Sequence, residues 1–332
     1  MSAQPRSAVV RMAPYKPPAE GRGGKLRLDF NENTVGASPK VIEALQKALT
    51  QESLTLYPEY SAARPKIAKY FGVSPDELLL TNGTDEAIQV LVNTFVNESE
   101  KVYIPEPTYA MYRFYSELAG GVAVHELTAD IRVAFISNPN NPTGGWHERD
   151  ECIALLERYP ETLFLIDEAY FEFSGITVLD LIRKYPNLFV SRTFSKVFGM
   201  AAMRMGCLFS NEENMQWMRK AQSPYSVNQL AVIAASAAVD DQDYINEYVR
   251  EVLEAREQIF AGLADLKIKA WPSKGNFILF EVGSRAIEIR DALREQGILI
   301  RDRSYEIAGC VRVTVGTQSH AQRFLEELQK IW

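Results

Sequence analysis

Four short segments carry residues whose types and placement can do chemistry. Asn82-Gly83-Thr84-Asp85-Glu86 is a glycine-containing turn running into an amphipathic stretch. Free N–H groups and the positive dipole end at such a helix start suit a phosphate. The segment is neither GxGxxG nor a P-loop, and a helix capped by Asn82 with acids in its first turn is the plainer reading. Ser137-Asn138-Pro139-Asn140-Asn141-Pro142-Thr143-Gly144 is dense in Asn and Pro, which is first of all turn chemistry. Leu163–Tyr170 is an apolar run ending in Asp167-Glu168, so a carboxylate emerges where it needs a partner. Ser191–Gly199, followed by Arg204, sets Lys196 among hydroxyls and aromatics. Partial desolvation there would lower the amine pKa and make it a nucleophile towards carbonyls, whereas most lone lysines are simply solvated.

Each segment follows, or ends, a predicted strand. Strands are expected at Leu78–Leu80, Lys101–Ile104, Arg132–Ser137, Thr162–Ile166 and Leu188–Ser191, and helices at Lys40–Leu49, Asp85–Val96 and His147–Tyr159. Ile88, Leu91, Val92 and Phe95 fall at i, i+3, i+4 and i+7, the spacing of one buried helix face. Such alternation predicts an α/β fold with a mostly parallel sheet covered on both faces, and ligands bind beyond the carboxyl ends of its strands. The first 28 or so residues read as an extended arm rich in Pro, Gly and Arg. Gln229–Leu263 reads as long helical material leading to a second, compact α/β unit. That unit has predicted strands Asn276–Glu281, Ile298–Arg301 and Val311–Val315, and helices Arg285–Gln296 and Ser319–Ile331.

Composition narrows the function classes. The chain has 332 residues, 36 Lys and Arg against 43 Asp and Glu, a net charge of −7, and 46% hydrophobic residues. This is ordinary globular composition, and its acidity argues against nonspecific nucleic-acid binding. The longest apolar run, Leu230–Val239, is about half of the ~20 residues that a membrane span needs. Arg6 and Arg11 flank short, Pro-broken segments without an apolar core, so a secretory signal is not expected. Cys152, Cys207 and Cys310, like His125, His147 and His320, are scattered. No disulfide framework or metal cluster is expected, and the setting that fits is cytoplasmic.

Taken together, the four segments offer a phosphate-binding helix start, an edge carboxylate, an edge Asn and an edge Lys. A pyridoxal phosphate site requires this set: lysine for covalent attachment, carboxylate for the pyridinium nitrogen, and donors for the phosphate. The sequence resembles the fold-type I pyridoxal-phosphate enzymes and, within them, the histidinol-phosphate aminotransferases. The likeness runs through Leu28-Asp29-Phe30-Asn31-Glu32-Asn33, Tyr57-Pro58-Glu59, Asn82–Ile88, Pro107-Thr108-Tyr109, Asn138–Gly144, Asp167–Tyr170, Ser195-Lys196, Arg204 and Val311-Arg312-Val313-Thr314-Val315-Gly316.

The resemblance implies a large domain with a mostly parallel seven-stranded sheet (41–245), a small α/β domain (246–332) and an N-terminal arm packing with the latter (1–40). It implies that Lys196 carries pyridoxal 5'-phosphate and then acts as general base. Asp167 would pair with the ring nitrogen, Asn141 and Tyr170 with the phenolic oxygen, and Tyr109 would stack on the ring. Gly83, Thr84, Asp85, Thr193, Ser195 and Arg204 would hold the phosphate, joined by Tyr57 from the neighbouring subunit of a homodimer. Arg312 would clamp a carboxylate, although by its own pattern it reads first as an exposed arginine alternating with Val311 and Val313. Arg301, Tyr15 and Asn33 would contact substrate. The implied reaction converts L-histidinol phosphate and 2-oxoglutarate to imidazole acetol phosphate and L-glutamate. An aromatic amino acid aminotransferase and a threonine-phosphate decarboxylase-type lyase are the alternatives. The segment Ala123–Asp130 is short for the family, leaving no room for an extra helical turn.

Overall fold

The computed structural model describes residues 3–13 and 21–332. Among the described residues, eleven strands form two sheets: β1 (Leu26–Leu28), β2 (Leu78–Thr81), β3 (Lys101–Tyr103), β4 (Val122–Val124), β5 (Ile131–Ser137), β6 (Leu163–Asp167), β7 (Leu188–Thr193), β8 (Gly206–Phe209), β9 (Phe277–Glu281), β10 (Ile298–Asp302) and β11 (Cys310–Thr314). The larger sheet has the order β2-β8-β7-β6-β5-β3-β4. Only β8 runs against its neighbours. The smaller sheet has the order β1-β10-β11-β9. The fold is that of a fold-type I transferase, with a mostly parallel seven-stranded sheet clothed in helices.

Period-two alternation explains how one sheet builds two cores. Leu79, Val133, Phe135, Leu165, Phe189 and Leu208 face one side, packed with Ile88, Leu91 and Val92 of helix Gly83–Phe95. Leu78, Leu80, Ala134, Ile136, Phe164, Ile166 and Val190 face the other, against helices Arg149–Arg158 and Gln229–Ala238. Because both faces are dry, the central strands read as continuous apolar runs. What remains for chemistry is the carboxyl edge.

Two expectations are corrected. Gln229–Leu263 is two helices, Gln229–Ala238 and Gln242–Asp265. Asp240 pairs with Lys66, and Asp241 with Lys40 at 2.9 Å and with Ser38, so the chain turns where these acids find partners. The first 28 residues are not wholly an arm: Ser7–Arg11 is helical, and β1 lies parallel to β10, with Leu28 buried and opposite Ile300. The Leu-Arg-Leu alternation is a strand pattern hidden inside a Pro- and Gly-rich composition. The short segment after Ala119 begins with an edge strand, β4, paired with β3. Among the described residues, no helix is long and apolar enough to cross a membrane.

Candidate active site

The strand ends converge on a cavity of about 320 Å³. Parallel register places Ser137, Asp167 and Ser191 abreast at the carboxyl edge of β5, β6 and β7. Side chains in register on neighbouring strands share a face, and Ser191 Oγ accordingly donates to Asp167 Oδ1 at 2.8 Å. The other carboxylate oxygen accepts from the Tyr112 hydroxyl at 2.6 Å. Burial pushes Asp167 up from the usual carboxylate range, and these two donors, with the Ala169 backbone N–H, oppose it.

One end of the cavity is built for an anion. Helix Gly83–Phe95 starts there, and the Asn82 side chain makes no capping bond, contrary to the plainer sequence reading. Its first-turn N–H groups therefore point outward with the positive end of the helix dipole. The Thr84 hydroxyl is buried without a partner among the described residues. Arg204 pairs with Asp85 at 3.1 Å and packs on Gly83, where a Cβ would come within 2.6 Å of the guanidinium. Gly83 also has φ +75°, which disfavours a side chain there. Asp85 also accepts from the Tyr109 hydroxyl at 2.7 Å.

Lys196 lies across the cavity. Its Nζ donates to the Phe30 carbonyl at 3.0 Å and sits 5.7 Å from the centre of the Tyr170 ring. Burial first, and the positive charge of Arg312 second, bring its amine down to about 8. The Tyr170 hydroxyl accepts from Asn31 Nδ2 at 2.9 Å. Arg312, on β11, is 4% exposed, which removes the exposed-strand alternative. Its guanidinium donates to Asn141 Oδ1 and, at 2.7 Å, to the Asp29 carbonyl, leaving Nε buried and, among the described residues, unpartnered.

Thr84, Asp85, Tyr109, Asn141, Asp167, Tyr170, Thr193, Ser195, Lys196 and Arg204 thus share one cavity, with Gly83 behind Arg204. The remaining expected residues behave differently. Tyr57 is 75% exposed and lies tilted against Tyr225, with ring centres 4.7 Å apart and planes 31° apart, away from this chain's cavity. Arg301 lies with its guanidinium 5.6 Å from the Phe30 ring and lines neighbouring hollows. Tyr15 falls outside the described residues. The Asn33 amide donates to the Val197 carbonyl and accepts from the Val35 and Gly36 N–H groups. It thereby braces the loop after Lys196.

Sequence reasoning missed Tyr112, Ser191 and Arg22. Tyr112 lies three residues after Tyr109, one helical turn on, and Ser191 stands level with Asp167 on the next strand, so both were findable. Arg22 was not, since it sits in an irregular Gly- and Arg-rich tract. It bonds Asp29 at 2.7 Å and Glu32 at 2.9 Å, and covers the Phe30 ring at 4.3 Å.

Residues 24–328 match the family Aminotransferase class I and II. The histidinol-phosphate aminotransferase of Symbiobacterium thermophilum is 36% identical, over 98% of this chain and 97% of the relative. That of Thermococcus gammatolerans is 37% identical, over 92% of each. The crystal structure of histidinol-phosphate aminotransferase from Sinorhizobium meliloti, in complex with pyridoxal-5'-phosphate, superposes with a TM-score of 0.84 at 24% identity, covering 94% of this chain and 93% of that one. The chain belongs to the class I and II aminotransferases.

Proposed function

We propose that this aminotransferase binds pyridoxal 5'-phosphate and moves the amino group of L-histidinol phosphate to 2-oxoglutarate, yielding imidazole acetol phosphate and L-glutamate, as a cytoplasmic homodimer. The observation that carries the cofactor reading is the pairing, in one cavity, of a buried amine brought down to about 8 with a buried Thr84 hydroxyl that has no partner among the described residues. The substrate reading is supported by the relatives of that name, which match over nearly their whole length.

The residues fit the cofactor. Thr84, the first-turn N–H groups after Asn82, Thr193, Ser195 and Arg204 would hold its phosphate. Asp167 would face the ring nitrogen, Asn141 and Tyr170 the phenolic oxygen, and Tyr109 the ring plane. When bound, the cofactor supplies an electron sink for the charge left at substrate Cα. Lys196 takes the Cα proton, a task suited to an amine whose pKa burial has brought near the working pH. Tyr170 and Phe30 keep that amine aimed at the cavity. Arg312, planar and held by Asn141 and the Asp29 carbonyl, presents its fork to a carboxylate of 2-oxoglutarate. Arg301 and Tyr15 would serve the substrate phosphate, and Tyr57 would reach the cofactor phosphate of the other subunit, which its exposure permits.

The test is to load the protein with pyridoxal 5'-phosphate and offer L-histidinol phosphate, phenylalanine and threonine phosphate, each with 2-oxoglutarate. Glutamate formation and CO₂ release are followed in parallel. Glutamate formed fastest from histidinol phosphate is the expected result. CO₂ from threonine phosphate without glutamate, or faster transfer from phenylalanine, would overturn it.

A further inference from the structure

The geometry points to Tyr112 as a positioning residue: its hydroxyl, with that of Ser191, holds the Asp167 carboxylate charged and turned towards the cofactor's ring nitrogen. The inference rests on the cofactor reading above. Tyr112 is fully buried in helix Met111–Ala119. Its ring lies flat on Phe135 (4.8 Å between centres, 9° between planes) and edge-on to Tyr109 at 5.6 Å. Locked on both sides, the ring has little freedom in where its hydroxyl points, and that hydroxyl meets Asp167 Oδ2 at 2.6 Å. Ser191, from β7, serves the opposite oxygen, so each oxygen has its own O–H donor from a separate element.

Among the described residues no cation bonds to the carboxylate, and its charge rests on these two hydroxyls together with the Ala169 backbone N–H. The groups around it are Asp85 from helix Gly83–Phe95, which disfavours its charge, Tyr109, Tyr170 and Lys196. Burial favours the neutral acid. A neutral Asp167 would compete with the ring nitrogen's proton instead of stabilising it. Hydrogen bonds from neutral hydroxyls to a charged acceptor act in the opposite sense and fix its direction. A core tyrosine that only fills space would do neither, and that difference can be measured.

The experiment compares wild type, Tyr112→Phe and Ser191→Ala. Tyr112→Phe keeps the ring and its stacking and removes only the O–H. Affinity of each cofactor-free protein is measured by equilibrium dialysis for pyridoxal phosphate and for its 1-deaza analogue, whose ring has C–H in place of nitrogen. Tyr112→Phe is expected to bind pyridoxal phosphate roughly tenfold more weakly and to match wild type with the deaza analogue. In the loaded enzyme, kcat falls while KM for histidinol phosphate holds, and the pH titration of the bound cofactor's visible absorbance is displaced. Equal affinities for pyridoxal phosphate, or a deficit as large with the deaza analogue, would overturn the inference, because a merely structural role moves both ligands alike. If Tyr112→Phe does not fold, Ser191→Ala decides: a loss confined to pyridoxal phosphate supports the inference, and equal losses or none overturn it. Wild type that takes up no pyridoxal phosphate would bring down the cofactor reading and this inference with it. Wild type that binds while Tyr112→Phe is unchanged defeats this inference alone.

Discussion

The two sides of the cavity are made differently. On the large-sheet side, each group sits at or just past a strand end, and register decides its neighbours: Ser137, Asp167 and Ser191 stand in a row. On the other side, the groups come from an N-terminal loop and the small sheet. Phe30, Asn31 and Arg312 are held by contacts between segments far apart in sequence, such as Asn31 N–H to Thr314 Oγ1 at 2.9 Å and Arg312 to the Asp29 carbonyl. A strand end is fixed by a whole sheet, whereas a loop is fixed only by the few bonds it makes. The first side is therefore suited to a permanent cofactor, and the second to substrates that come and go.

Substitutions should separate the two sides. The largest effect is expected on the sheet side: Lys196→Ala should lower turnover on the order of 10²–10⁴-fold, and single-turnover glutamate formation would measure it. Asp167→Asn should follow, with kcat down about 10²–10³-fold and KM little changed. Unchanged turnover in that variant would sink the role given to Asp167. On the loop side, Arg312→Lys should raise KM for 2-oxoglutarate roughly tenfold while leaving cofactor affinity intact. A loss of cofactor with this change would erase the distinction between the two sides. The smallest effect is one of pH. The neutral amine is the capturing form, and Lys196 is lowered from 10.5 to about 8. The rate of cofactor uptake should therefore rise with pH and level off above about 8, as stopped-flow absorbance would record.

The same contrast governs what could be read in advance. The α/β alternation and the sheet-side residues were legible because burial on two faces forces apolar runs, and chemistry collects where those runs end. Even there, Asp167 and Glu168 read alike as sequence. Successive side chains on a strand point to opposite faces, and Glu168 turns to Arg192 at 2.7 Å and to Thr177, a buried structural ion pair. Asn33 shows the converse. It belongs to a motif that lies near the site, but an Asn can equally brace a backbone turn, and no spacing reveals which. Arg22 and β1 were hidden because their partners, Glu32 and β10, are chosen by tertiary contact rather than by local pattern.

The central claim is that Lys196, at the end of the large-sheet edge, is the residue that carries the cofactor. Borohydride reduction of the pyridoxal-phosphate-loaded protein, followed by peptide mass spectrometry, tests it directly. The expected result is one phosphopyridoxyl group per chain, on Lys196. Attachment at any other lysine, or no attachment under conditions where the protein transfers amino groups, would contradict it.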